Sequence, residues 1–101
     1  MNVNPFEVLK NAQKIQEQMG VFQEKLGLIK VTGYAGGGMI GIEMNGKMEV
    51  TAVRISPEAI GDLEMLQDLV TAAFNDTLEK VKEAVNKEMG TMIPGGMPGL
   101  S

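Results

Sequence analysis

Eight lysines and one arginine carry all the cationic chemistry of this 101-residue chain. Their spacing is uneven. Lys10 and Lys14 stand one helical turn apart, and Lys80 and Lys87 two turns apart. On a helix, each pair projects from one face and could meet successive phosphates of a nucleic acid. Gln and Asn residues beside Lys10 and Lys14 are compatible with backbone contacts of that kind. The competing explanation is an ordinary solvated face braced by i,i+4 pairs such as Glu83–Lys87. The formal charge of -4 and a pI near 4.7 favour that explanation, since nucleic-acid binders are usually basic. The acidity is local, however. Residues 1–32 carry +1, residues 33–68 carry -4 and residues 69–101 carry -1. No basic residue occurs between Arg54 and Lys80.

Other chemistries are poorly provided for. Without Cys, His or Trp there is no disulfide, no Cys/His zinc site and no histidine acid/base group. Gly36-Gly37-Gly38 lacks the Lys-Ser/Thr of a P-loop and leads into a strand, so it reads as a turn. Glu58, Asp62, Glu64 and Asp68 lie at helix starts, where carboxylates favour the positive dipole end, and they have no EF-hand spacing. The chain is therefore expected not to be an enzyme and to need no metal, cofactor or small-molecule substrate. The longest apolar run is a few residues, too short to span a membrane. Met1–Pro5 lacks the features of a signal peptide, and the absence of cysteine suits a reducing cytoplasm. A cytoplasmic location is expected.

The elements that must position the lysines are legible. Asn4 is a candidate cap, Pro5 suits the first helical position, and Glu7 follows three residues after the cap. Val8, Ala12, Ile15, Met19, Phe22, Leu26 and Ile29 then recur at alternating spacings of four and three, a heptad seam ending near Gly27. One narrow stripe on a helix of about 20 residues, ~30 Å long, suggests packing on a single partner. Residues 28–34 alternate as a strand, with Lys30 and Thr32 on one face. Ile40, Ile42 and Met44 form a second strand up to the hairpin signal Asn45-Gly46. A return strand runs from Lys47 to Ile55, its broken phase calling for a β-bulge near Thr51–Ala52. Ser56-Pro57-Glu58 starts a short helical turn, with Ser56 as its cap. Residues 63–89 carry Leu66, Leu69, Val70, Ala73, Phe74, Leu78, Val81, Val85 and Met89 at helical spacing, closed by Gly90. The expected architecture is α+β, an α-β-β-β-α subunit with long terminal helices around a three-stranded antiparallel sheet. Residues 1–90 form the domain and 91–101 a flexible Gly/Pro/Met-rich tail.

Several segments, taken in order, resemble the YbaB/EbfC family of nucleoid-associated DNA-binding proteins. They are Ala12-Gln13, Val31-Thr32-Gly33, Ala35-Gly36-Gly37-Gly38, Asn45-Gly46, Val53-Arg54-Ile55-Ser56-Pro57 and the run from Leu66 to Asp76. The resemblance implies a tweezer-shaped homodimer that binds double-stranded DNA with loose sequence preference. It also implies a place on the nucleoid and a role in chromosome organisation and gene regulation. Lys10, Lys80 and Lys87 match basic positions of the family, whereas Glu79 stands where relatives often carry Arg. Lys14 joins the candidate DNA-binding set through its helical face alone. Ile40, Ile42, Val53 and Ile55 are the candidate dimer-interface residues. The alternative function is a protein-interaction adaptor that uses the exposed helix stripe and the Met-rich tail.

Overall fold

In a computed structural model that describes residues 4–92, the elements follow one another in the expected order. Helix α1 spans Pro5–Leu28, and strands β1, β2 and β3 span Lys30–Ala35, Ile40–Asn45 and Val50–Ile55. A 3-10 turn at Pro57–Ala59 leads to helix α2, Leu63–Met92. The strands form an antiparallel meander in the order β1-β2-β3.

Asn4 caps α1, its side-chain oxygen accepting the Phe6 N–H at 2.9 Å, and Pro5 opens the first turn. No residue of α1 is buried. The helix meets the rest of the chain only near its C-terminal end. There Gly46 N–H donates to the Leu26 carbonyl at 2.9 Å, and Lys25 pairs with Glu88 of α2 at 3.6 Å. The remainder stands clear as an arm. The molecule consequently measures 70 × 25 × 18 Å, with a radius of gyration of 19.7 Å. A compact chain of this length would have about 13 Å.

The core lies between the sheet and α2. Ile40, Ile42 and Met44 point from β2 against Ala73, Thr77 and Val81, all of them buried. Packing is tightest at Gly33 of β1, where any side chain would fall on the backbone of Thr77. The Thr77 hydroxyl, sealed in this seam, lies 2.7 Å from the Ala73 carbonyl and 3.1 Å from that of Ile42, both acceptors for its proton. Helix α2 crosses β1 and β2 and leaves β3 bare. Val50, Val53 and Ile55 of β3 share the face of their cross-strand partners Met44, Ile42 and Ile40, yet each is 43–52% exposed.

The β-bulge falls where the phase of the sequence demanded it. Glu43 pairs with Ala52 and Met44 with Val50, so Thr51 is the extra residue. The three glycines between β1 and β2 form the expected turn, all with positive φ (64°, 66° and 96°), a region costly for other residues. Three boundaries and one cap differ from expectation. β3 begins at Val50 instead of Lys47, because Asn45 organises a wider loop. The Asn45 side chain accepts the N–H groups of Lys47 and Glu49, while the Gly46 N–H is taken by α1. Leu28 belongs to α1, so β1 starts two residues later than the alternation suggested. Ser56 makes no side-chain cap; its backbone N–H instead donates to the Met39 carbonyl at 2.7 Å. Gly90 does not close α2, which continues to Met92 and so takes in the first residues assigned to the tail. The rest of that tail, 93–101, lies outside the described residues.

Two glycine substitutions should have opposite signs. Gly33→Ala forces β1 and α2 apart and should cost at least the ~1–3 kcal/mol typical of overpacking. Gly20→Ala sits in an open stretch of α1 with nothing within 4 Å of the new methyl. It should raise stability by about 0.5–1 kcal/mol through helix propensity. Urea unfolding followed by circular dichroism measures both, and a shared sign would contradict the packing described.

Candidate nucleic-acid interface

Lys10 and Lys14 lie on the free arm, both fully outside any packing contact. Lys87 is exposed on the last turns of α2, beside the Glu88 that holds Lys25. Along α1, Lys10 is about 22 Å from Lys25 at 1.5 Å per residue. The four candidate lysines therefore form two separate sets within the chain, one on the arm and one on α2.

Lys80 differs from the other three. Its ammonium donates to the Thr32 carbonyl at 3.2 Å, pairs with Asp76 at 3.0 Å and lies 5.5 Å from the centre of the Tyr34 ring. Asp76 in turn accepts the backbone N–H of Tyr34 at 3.0 Å. These contacts fall on the outer edge of β1, which has no strand beyond it among the described residues. Two α2 side chains thus satisfy backbone groups that an edge strand would otherwise expose to a pairing chain. The i,i+4 spacing of Asp76 and Lys80 was a readable signal of this pairing; the involvement of Thr32 and Tyr34 was not, because it joins residues more than 40 positions apart.

Of the expected interface residues, Ile40 and Ile42 lie inside the chain's own core, 0% and 3% exposed, where α2 consumes their surface. Val53 and Ile55 lie open beside them. Phe6, Val8, Ile15 and Met19 of α1 are also open, each more than half exposed. Among the described residues no three acidic side chains gather as a metal site, and no helix is long and apolar enough to cross a membrane.

A sheet covered by one helix, with a second lysine-bearing helix projecting from it, defines a small α+β domain with an arm. The chain belongs to the YbaB/EbfC DNA-binding family, which it matches over residues 1–97. That is a DNA-binding family and not an enzyme family. Similar proteins include the nucleoid-associated protein of Dictyoglomus thermophilum, 42% identical over 91% of this chain and 90% of its own length. Another is that of Xylella fastidiosa, 41% identical over 94% of this chain and 89% of its own. A third, from Legionella pneumophila, is 40% identical over 94% and 86%. The same α-β-β-β-α fold occurs in the crystal structure of an uncharacterized protein from Helicobacter pylori. It superposes with a TM-score of 0.77 at 22% identity, covering 90% of this chain and 98% of that one.

The Asp76 contacts carry a pH signature. The Tyr34 N–H, then Lys80, hold its carboxyl below the ordinary value of 3.8. A carboxyl depressed in the folded state contributes stability that is complete above 3.8 and lost as pH falls through the folded value. Asp76→Asn should therefore be less stable than the parent at neutral pH, with the gap closing under acid. Denaturation midpoints taken across that range measure the gap, and one that stays constant would show that the charge contributes nothing.

Proposed function

We propose that this protein is a homodimeric, nucleoid-associated DNA-binding protein of the cytoplasm. It grips the phosphate backbone of double-stranded DNA through lysines on its helices, with loose sequence preference, and serves chromosome organisation and gene regulation. Family membership supports DNA as the partner, and the relatives' names support the nucleoid. The observation that carries the dimer is the arm. A 24-residue helix whose apolar stripe is exposed from Val8 to Met19 has little but its own propensity to hold that stretch, and isolated helices are marginal in water. A second copy would cover the stripe, and the bare Val53 and Ile55 would extend the contact along β3, beside the Ile40 and Ile42 that α2 already buries. An isologous pair would also repeat every lysine about a two-fold axis, so that separate sets become a spaced array. The adaptor reading draws on the same stripe; a chain that stays monomeric at micromolar concentration and binds no DNA would favour it.

The lysines divide by role. Lys10, Lys14 and Lys87 are free for phosphate. Lys80 shares its charge with Asp76, and Glu79 beside it adds a repulsive carboxylate, so its contribution to DNA is smaller. Binding should weaken steeply with salt, as log affinity falls nearly in proportion to the phosphates neutralised.

The test is a gel-shift or anisotropy series on duplexes of differing sequence over a range of salt. Replacing Lys10, Lys14 and Lys87 by Ala should weaken all sequences alike and lower the salt slope by roughly one for each phosphate no longer neutralised. Lys80→Ala should lower thermal stability more than it lowers DNA affinity. Absence of any shift at low salt with the intact dimer, or weakening confined to one sequence, would overturn the mechanism.

A further inference from the structure

The two faces of the sheet differ in character. The face toward α2 is apolar and continues as the bare Val50, Val53 and Ile55 of β3. The opposite face is polar and holds a shallow hollow of about 310 Å³, lined by Thr32, Tyr34, Gly41, Glu43, Ala52 and Arg54. The register creates it. Gly41 lies between Tyr34 on β1 and Arg54 on β3, its direct cross-strand neighbours, and having no side chain it leaves a gap between theirs. The Tyr34 ring leans into the gap, its Cε1 only 3.2 Å from where a Gly41 Cβ would stand. Yet 56% of Tyr34 stays exposed. Arg54, the single arginine of the chain, belongs to neither of the two ion pairs among the described residues.

We propose that this hollow is a second nucleic-acid site, distinct from the lysine-bearing helices, that takes one nucleotide of single-stranded DNA with its base on Tyr34 and its phosphate on Arg54. The proposal rests on the family's DNA-binding character but not on the duplex contacts of the helices. An exposed aromatic ring on an antiparallel sheet can stack only on a base already free of its own stack. A planar guanidinium within the same hollow supplies a forked partner for phosphate. Lys80, 5.5 Å from the ring centre, and Lys30, which alternates onto this face, add positive potential. Glu43 is the one carboxylate in the hollow, and the Thr51 hydroxyl donates to it at 2.6 Å. Its charge limits the site to a single phosphate on the Arg54 side. A second copy of the chain is the less suitable occupant, because the uncovered apolar surface lies on the other face and on α1.

The protein carries its own probe. Tyr34 is the single tyrosine and there is no tryptophan, so intrinsic emission reports this one ring. Titration of the intact protein with a poly-deoxythymidine oligonucleotide of about 12 nucleotides should quench that emission. Affinity for a labelled oligonucleotide should fall roughly tenfold in Arg54→Gln and in Tyr34→Leu, the usual scale for one stacked base or one charged phosphate contact. Tyr34→Phe, which keeps the ring, should bind like the parent, and Glu43→Gln should bind tighter. Circular dichroism confirms that each variant is folded. Duplex binding by Arg54→Gln should stay within about twofold of the parent, because Arg54 is not on the lysine-bearing helices. Three results would overturn the site: an oligonucleotide that binds with no change in Tyr34 emission, unaltered affinity in both variants, or a Tyr34 that acrylamide cannot reach because a second copy covers it. Failure of the duplex to bind the parent protein would instead overturn the function proposed above.

Discussion

The close approach of α2 to β1 at Gly33 and Thr77 is the constraint on which the rest of the fold depends. A helix that rests its backbone against a strand has little freedom to shift sideways. It lies over β1 and β2, and its short reach across the sheet leaves β3 uncovered. The same seam brings Asp76 and Lys80 to the outer edge of β1, where they occupy the Tyr34 N–H and the Thr32 carbonyl. One edge of the sheet is thereby closed, while the face of the other strand stays open. Small size makes this asymmetry matter. A core of so few buried side chains gives modest stability, and covering the open surface is the means by which a chain of this length can add to it.

The direction of the arm follows from the opposite end of the sheet. Asn45 organises the β2–β3 loop with its side chain, which frees the Gly46 N–H to bond the Leu26 carbonyl at the end of α1. A side chain at Gly46 would press on that carbonyl, so the glycine is needed for close approach, not for a tight turn. The hairpin tip and the Lys25–Glu88 pair thus form the joint from which α1 projects. An exposed ion pair of that kind contributes little energy alone. The backbone bond and the packing around it fix the helix end, and 24 residues of helix carry that orientation outward.

Local rules made most of this legible. The α1 cap at Asn4, the heptad stripe, the three-glycine turn, the bulge at Thr51 and the order of elements all arise from neighbours within a few residues, where periodicity and turn chemistry act. Misplaced boundaries had non-local causes. Asn45-Gly46 alone suggests a tight turn and an early β3, but a helix end 20 positions away claims the glycine N–H. Gly90 resembled a stop, but a glycine ends a helix where the chain turns left-handed, and among the described residues no glycine after Gly38 is so placed. The site shows the same division. Helical spacing was enough to place Lys10, Lys14 and Lys87 on solvated faces. The bonds that engage Lys80, and the α2 packing that buries Ile40 and Ile42, come from tertiary structure that no single segment records.

Net charge is a poor guide to such a molecule because its shape separates the charges. In a compact globule a body at -4 would oppose DNA from every direction. Here α1 is net neutral, its Lys10, Lys14 and Lys25 offset by Glu7, Glu17 and Glu24, and the arm is about 36 Å long, several times the ~8–10 Å over which salt screens exposed charges. At ordinary ionic strength the tip of the arm is shielded from the acidic hairpin and the start of α2. A phosphate near Lys10 or Lys14 would meet the local field of those side chains, while the acidic body disfavours non-specific collapse of DNA onto the sheet as a whole. A net charge of -4 is therefore compatible with membership of a DNA-binding family.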